Sequence, residues 1–99
     1  KLMFTMDVVI KNHLIPDDKR DELFEKHAQW IQENYDSGAF LLMGPYTTKE
    51  MTGLIIGQAD SKVAIEAIAQ ADAFYPDYAD YVINEFNINK INPKIAEIK

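Results

Sequence analysis

His27 is the side chain whose type and setting best suit acid–base chemistry in this sequence. It follows Leu23 by four residues and precedes Ile31 by four, so a helix here would place the imidazole on an apolar stripe. An imidazole titrates near neutral pH, and a half-buried one beside a carboxylate can act as a general base or acid. The alternative is a histidine at the edge of the core, with one ring nitrogen hydrogen-bonded to the backbone. From the residues alone, both interpretations stay open.

Aromatic side chains form a second group of candidates. They can line an apolar pocket for a small molecule, or they can pack within loops and at a subunit interface. Tyr46 follows Gly44-Pro45 at the end of a predicted strand, where the backbone turns away and a pocket mouth can open. The group consists of Trp30, Tyr46, Phe74, Tyr75, Tyr78 and Tyr81.

The composition excludes several classes of function. A net charge of −6 argues against nucleic acid as a partner, because phosphate binding needs a basic surface. Without cysteine there is no disulfide, no thiol nucleophile and no thiolate metal site, and two histidines form no metal-ligand pattern. The sequence also lacks a glycine-rich phosphate loop and a nucleophile-elbow serine. We therefore expect no metal and no cofactor.

Other features predict where the protein works. No apolar run approaches the ~20 residues that a membrane helix needs, so we expect no membrane partner. The first residues carry one lysine and then alternate, which is not the pattern of a signal peptide. A cytoplasmic location is the expectation.

The periodicity of apolar residues predicts six elements in the order β-α-β-β-α-β. Alternation indicates strands, and a spacing of three to four residues indicates helices. Such an order is typical of a ferredoxin-like α+β fold, with one antiparallel sheet and both helices on one face. The predicted elements are a strand at 2–11, a helix at 19–35, strands at 39–43 and 52–59, a helix at 61–71 and a strand at 82–91.

Local signals predict how these elements begin and end. Asp17 or Asp18 is expected to cap the first helix, and Gly38 to follow its end in a left-handed conformation. Asp60 and Ser61 can cap the second helix. In the last strand the apolar residues change phase, which predicts a β-bulge near Asn84-Glu85.

The two middle strands are apolar on both faces, while the helices cover only one. A bare apolar face is rare on a soluble monomer, so we expect a second copy to pack sheet to sheet against it. Asp7 would lie on this face with Thr5, either beside a polar cavity between the sheets or exposed at an edge. The opposed residues are Phe40 and Leu42 against Leu41 and Met43, and Leu54 and Ile56 against Ile55.

With this architecture, a succession of short motifs resembles the YciI-like (YCII-related) family. A helical histidine is followed by a glycine turn, a strand ending in Gly-Pro, a further strand and a helix that runs into an aspartate. The resemblance covers roughly Met3 to Phe86. The motifs are His27-Ala28-Gln29-Trp30-Ile31, Gly38-Ala39-Phe40-Leu41-Leu42-Met43-Gly44-Pro45, Thr52-Gly53-Leu54-Ile55-Ile56 and Ala71-Asp72-Ala73-Phe74.

The resemblance implies one YciI-like domain over residues 1–99 with the fold of a dimeric α+β barrel. It also implies that His27 and Asp72 are the catalytic or binding pair, with Asp72 orienting the imidazole. Two departures bear on the substrate. The family's usual proline after the aspartate is replaced by Ala73, and the arginine that often precedes the histidine has no clear counterpart. From the residues alone, an aspartate just after a helix most often caps a turn.

These observations lead to one functional hypothesis and one alternative. The hypothesis is a small cofactor-independent enzyme that performs acid–base chemistry, elimination or isomerisation, on a small cyclic or aromatic metabolite. His27 and Asp72 would be catalytic, and the substrate-binding residues would be Trp30, Tyr46, Phe74 and Tyr75. The alternative is a non-catalytic module that binds a small ligand or serves dimerisation.

Overall fold

A computed structural model describes residues 1–98 and confirms the predicted α+β fold and the order of its elements. Three short 3₁₀ turns accompany the helices and strands, at Asn12–Leu14, Asp17–Lys19 and Pro93–Glu97. The main elements are β1 (Leu2–Ile10), α1 (Arg20–Asp36), β2 (Phe40–Pro45), β3 (Thr52–Ala59), α2 (Lys62–Gln70) and β4 (Ala79–Phe86).

The four strands form one antiparallel sheet in the order β2-β3-β1-β4. The first strand therefore lies in the interior of the sheet, between β3 and β4. Each α-helix connects two strands that are not adjacent in the sheet: α1 connects β1 to β2, and α2 connects β3 to β4. Alternate residues of β1, namely Phe4, Met6 and Val8, are buried on the face that carries both helices. This face and the helices enclose the core, which continues to Phe40 and Ile65.

Gly57 is required by close packing between β2, β3 and β1. A Cβ atom at this position would lie 2.4 Å from the carbonyl oxygen of Ala39 and 2.5 Å from the ring of Phe4. The absence of a side chain lets the buried Phe4 ring lie directly against β3. The Phe4 ring therefore occupies the space that a side chain at position 57 would need.

The predicted cap at the start of the second helix and the predicted glycine after α1 are confirmed. Ser61 caps α2, because its hydroxyl accepts a hydrogen bond from the Ala64 backbone N–H. Gly38 follows α1 with a φ of +85°, the left-handed conformation that glycine adopts without strain. The predicted aspartate cap of α1 was wrong. Asp17 and Asp18 lie in a 3₁₀ turn, and Lys19 occupies the cap position without a side-chain hydrogen bond.

The predicted β-bulge near Asn84-Glu85 was also wrong. β4 pairs with β1 in unbroken register from Ala79 to Phe86, and the strand ends there rather than at Ile91. The apparent change of phase arose because Phe86 faces the side of the sheet away from the helices and Ile88 lies beyond the strand. Alternation cannot separate an exposed apolar residue from a shifted register.

An irregularity of register occurs instead in β2, between Phe40 and Leu42. Strict alternation predicts these two residues on one face. Because of the shift, Phe40 and Met43 both point to the helix-covered side, where Phe40 is buried and Met43 partly buried, while Leu42 lies on the other side and is 39% exposed.

We call the side of the sheet that no helix covers the open face. It is largely apolar, and Val82 is 50% exposed and Phe86 39% exposed there. The strand pairings place on it Met3, Thr5, Asp7, Val9, Leu42, Leu54, Ile56, Gln58, Val82, Asn84 and Phe86. No helix within residues 1–98 combines the length and apolar character that crossing a membrane requires.

Candidate active site

His27 and Asp72 are in direct contact. Nδ1 of His27, in the middle of α1, lies 2.8 Å from Oδ1 of Asp72, just after α2. The Asp72 side chain is fully buried, and the imidazole is 13% exposed. The apolar stripe of α1 turns the histidine towards the sheet, and the turn after α2 brings the aspartate to the same depth. The fold therefore joins two residues that the resemblance had paired only by position.

Tyr81 completes the surroundings of Asp72, whereas the sequence had suggested it only as a possible aromatic residue of a pocket or an interface. Its hydroxyl donates a hydrogen bond of 2.5 Å to Oδ2 of Asp72. Burial raises the pKa of the Tyr81 phenol well above its usual range, and the hydrogen bond to the carboxylate is the second largest cause of this increase. The phenol therefore stays protonated and keeps donating. Alternation in β4 could have placed Tyr81 on the helix-covered face, but not beside the residue after α2.

The hydrogen bonds of Asp72 determine which nitrogen of His27 is available. An ionised carboxylate only accepts hydrogen bonds, so Nδ1 must carry a proton to satisfy the contact with Oδ1. In the neutral imidazole the lone pair is then on Nε2. Within residues 1–98 Nε2 has no hydrogen-bond partner, yet no buried polar side-chain atom there is unsatisfied, so Nε2 is not sealed in the core.

Two aromatic rings hold the imidazole in place. Phe74 is fully buried, and its ring centroid lies 4.8 Å from that of His27. Trp30, one turn further along α1, stacks on the imidazole with centroids 5.5 Å apart. The indole N–H donates a 2.8 Å hydrogen bond to the Ile68 carbonyl oxygen in α2, which fixes Trp30. Trp30 and Phe74 thus pack against the imidazole, and neither of them lines the cavity described next.

His27 lines a cavity of about 480 Å³ between α1, the sheet and the segment that connects β2 to β3. This volume is within the usual range of small-ligand sites, roughly 300–1,000 Å³. The wall is mainly aliphatic and aromatic. Among its members are Val8, Phe24, Ile31, Met43, Leu54 and Ile55.

Of the predicted binding residues, only Tyr46 lies on the wall of this cavity. Trp30 and Phe74 belong to the packing around the imidazole. Tyr75 is 42% exposed and borders a different depression, with its ring 5.7 Å from that of Tyr81. The four predicted substrate-binding residues are therefore divided among three places: the cavity wall, the packing around His27 and the outer surface.

At the Tyr46 side of the cavity lies a second polar arrangement. The Tyr46 hydroxyl donates a 2.7 Å hydrogen bond to Oδ1 of Asp7 on the open face. This hydrogen bond to a carboxylate raises the pKa of the Tyr46 phenol. The ammonium of Lys49 lies over the Tyr46 ring, 4.8 Å from its centroid. Asp7, which the sequence left either beside a cavity or at an exposed edge, is thus partly buried and paired with a phenol.

Comparison with solved structures shows the fold. A muconolactone isomerase superposes with a TM-score of 0.75 at 15% sequence identity, over 91% of this chain and 95% of that one. An antibiotic biosynthesis monooxygenase superposes with a TM-score of 0.55 at 8% identity, over 91% of this chain and 100% of the other. At these identities the likeness concerns architecture alone.

Sequence comparison identifies the family. A search of curated proteins found no significant match. The YCII-related domain, however, matches residues 5–87, a span that contains both helices, most of the sheet and the His27–Asp72 pair. The chain belongs to the YCII-related family.

Proposed function

We propose that this protein is a small enzyme that transfers protons on a small cyclic or aromatic metabolite, with elimination or isomerisation as the outcome. The observation that supports this most strongly is the contact of 2.8 Å between His27 and a fully buried carboxylate, beside a cavity of ligand size. A base, its orienting group and a space for the substrate are adjacent, which is the arrangement that general acid–base catalysis requires.

His27 is the proposed general base and acid. Its Nε2 takes a proton from a carbon of the substrate, and the electron pair of the broken C–H bond moves to the neighbouring carbon. In an isomerisation the imidazolium returns the proton to another position. In an elimination the electron pair forms a carbon–carbon double bond, the leaving group departs as an anion with its own bonding pair, and the imidazolium passes its proton to that anion or to water. Both routes balance with proton transfer alone, which is why the proposal includes no cofactor.

Asp72 and Tyr81 are proposed to position His27. The carboxylate holds Nδ1–H and stabilises the imidazolium that forms during the reaction. Tyr81 occupies the second carboxylate oxygen, so the carboxylate cannot rotate away from the imidazole. Phe74 and Trp30 restrict the ring itself. The nitrogen that faces the substrate is thus kept unprotonated in the neutral state.

We further propose that the working form is a homodimer through the open face. Val82 and Phe86 leave apolar surface there, and a large exposed apolar patch is uncommon on a soluble monomer. A second sheet packed against the first would bury it. The Asp7 carboxylate on this face has its partner in Tyr46, which lowers the cost of enclosing it.

Hydrogen–deuterium exchange tests the catalytic proposal without knowledge of the natural substrate. Cyclic ketones and unsaturated lactones are incubated with the protein in deuterium oxide, and NMR follows exchange at the carbon next to the carbonyl. We expect acceleration by the wild type and a loss of about 100-fold or more in His27→Gln, because general acid–base catalysis contributes on that order. Glu25→Gln, on the exposed side of α1, is the matched control and should behave as wild type.

Two results would contradict the proposal. Equal acceleration by His27→Gln would remove the histidine from the reaction. Binding of the probes beside His27 without any exchange would favour the non-catalytic ligand-binding module instead.

A further inference from the structure

The cavity beside His27 has an uneven distribution of polar groups, and this bears on the kind of substrate it accepts. Only four of its lining residues within the described chain carry polar side chains: His27, Tyr46, Lys49 and Thr52. The Thr52 hydroxyl donates to the Glu50 carbonyl oxygen at 2.9 Å, and the Tyr46 hydroxyl donates to Asp7. The Nδ1 proton of His27 is held by Asp72, so among the polar side chains of the wall only Lys49 still has hydrogens available to a ligand.

Lys49 is the cationic group of the wall. Its side chain is exposed, and within residues 1–98 its ammonium takes part in no salt bridge, a state that several other lysines share. Its contact with the Tyr46 ring places the charge at this side of the cavity, and Tyr46 is itself fixed by its hydrogen bond to Asp7. A cation over an aromatic face keeps most of its hydrogen-bonding capacity for another partner.

The surrounding charge makes this lysine more significant. The chain carries a net charge of −6, so its average field repels anions. An uncharged apolar ligand would need no cation at the mouth of an otherwise aliphatic cavity. An anionic ligand would need one, because neither Tyr46 nor Thr52 has a free hydroxyl proton to offer.

We infer that the substrate is a single-ring compound with one carboxylate, held by Lys49 while its ring lies against the apolar wall and a reactive carbon faces His27. This inference deepens the proposed function and rests on it. The volume of about 480 Å³ suits a ring with substituents, since a dry apolar cavity of roughly 150 Å³ already accepts benzene. The carboxylate would fix the orientation of the ring, and so determine which carbon meets Nε2.

A pair of probes that differ in charge tests this inference. Benzoate and benzamide have the same ring and nearly the same size, and NMR titration measures the affinity of each through the His27 resonances. For the wild type we expect benzoate to bind about tenfold more tightly, as a hydrogen bond to a charged group allows. Lys49→Met should reduce this preference to parity, and Lys49→Arg should retain it.

Lys62→Met, at the exposed start of α2, removes the same charge elsewhere and should leave the preference unchanged. Equal affinity of the two probes for the wild type, or an undiminished preference in Lys49→Met, would overturn the inference and leave the proposed function standing. Failure of both probes to shift the His27 resonances would overturn the inference together with the cavity as the substrate site.

Discussion

Nδ1 of His27 and Oδ1 of Asp72 lie 2.8 Å apart although 45 residues separate them in the chain. The contact links the middle of α1 to the turn after α2, and Tyr81 of β4 secures it from the other side of the carboxylate. Three elements of the fold therefore meet at one buried carboxylate.

Replacing Tyr81 with phenylalanine should destabilise the protein by about 1–3 kcal/mol, because a buried carboxylate oxygen loses its hydrogen-bond donor. Urea unfolding measures the change in the free energy of unfolding. Tyr75→Phe is the matched control, since Tyr75 is 42% exposed, and it should change stability by less than about 0.5 kcal/mol. Equal effects of the two substitutions would show that the hydrogen bond to Asp72 contributes nothing specific.

Stability should fall at alkaline pH because of Tyr81. Its pKa in the folded protein is raised above the ordinary value of 10.0, so above that pH the unfolded chain releases a proton that the folded protein keeps. The contribution is intact below pH 10 and is lost progressively as the pH rises. The slope is at most about 1.4 kcal/mol per pH unit, and the total loss is limited because partial exposure of the ring to solvent moderates the pKa shift.

Urea unfolding at several alkaline pH values checks this dependence, with Tyr81→Phe as the reference protein. The variant should be less stable at neutral pH but should lose stability less steeply as the pH rises. If the free energy of unfolding fell equally steeply with pH in the wild type and the variant, the alkaline loss of stability could not be assigned to Tyr81.

Trp30→Phe should lower the stability of the protein and should make the position of the His27 ring less fixed. The substitution removes the hydrogen bond to the Ile68 carbonyl oxygen and part of a buried side chain, which together should cost about 1–3 kcal/mol. NMR should also show greater motion of the His27 ring, because its stacking partner becomes smaller. Tyr35→Phe in the exposed last turn of α1 should change neither quantity.

Gly57→Ala should be strongly destabilising. The added Cβ would overlap a backbone carbonyl and the buried Phe4 ring, so we expect a loss of about 3 kcal/mol from forced displacement in the core. Gly44→Ala is the control, because a Cβ there meets no atom within 4 Å. Thermal unfolding compares the two. A loss in Gly44→Ala as large as in Gly57→Ala would indicate a general intolerance of alanine rather than a clash.

Ile56→Lys should dissociate the proposed dimer. Ile56 lies on the open face opposite Thr5, and a buried unpaired ammonium there would be costly. Light scattering should give twice the chain mass of 11.3 kDa for the wild type and the single mass for the variant. Val63→Lys, at a position 74% exposed on α2, should remain dimeric. A wild type of 11.3 kDa would remove the sheet-to-sheet interface.

Much of the fold follows from local patterns. Alternation along Phe4, Met6 and Val8 specified a half-buried strand and its inner face, and Ser61 marked the start of α2 correctly. Patterns failed where an exposed apolar side chain imitates a buried one. Phe86 suggested a bulge that β4 lacks, and nothing in the continuous apolar run of β2 revealed the register shift after Phe40.

The candidate site was less accessible to such reasoning. The chemistry of His27 indicated a role, and family resemblance supplied Asp72. The contributions of Tyr81 and Lys49 depend on which strand and which loop lie beside α1, and periodicity within one element carries no such information. Phe74 and Tyr75 are neighbours in sequence yet have different environments, because Phe74 is fully buried and Tyr75 is 42% exposed.

Because the His27–Asp72 contact spans 45 residues and needs α1, α2 and β4 all in place, it reports on assembly as well as on chemistry. A collapsed chain with helices formed but not docked would have the histidine and the aspartate without their pairing. Any activity of the pair would then appear only at the last stage of folding, when the helices dock on the sheet. An assay of that activity during refolding would therefore distinguish compact chains without native packing from chains in which the helices have docked on the sheet.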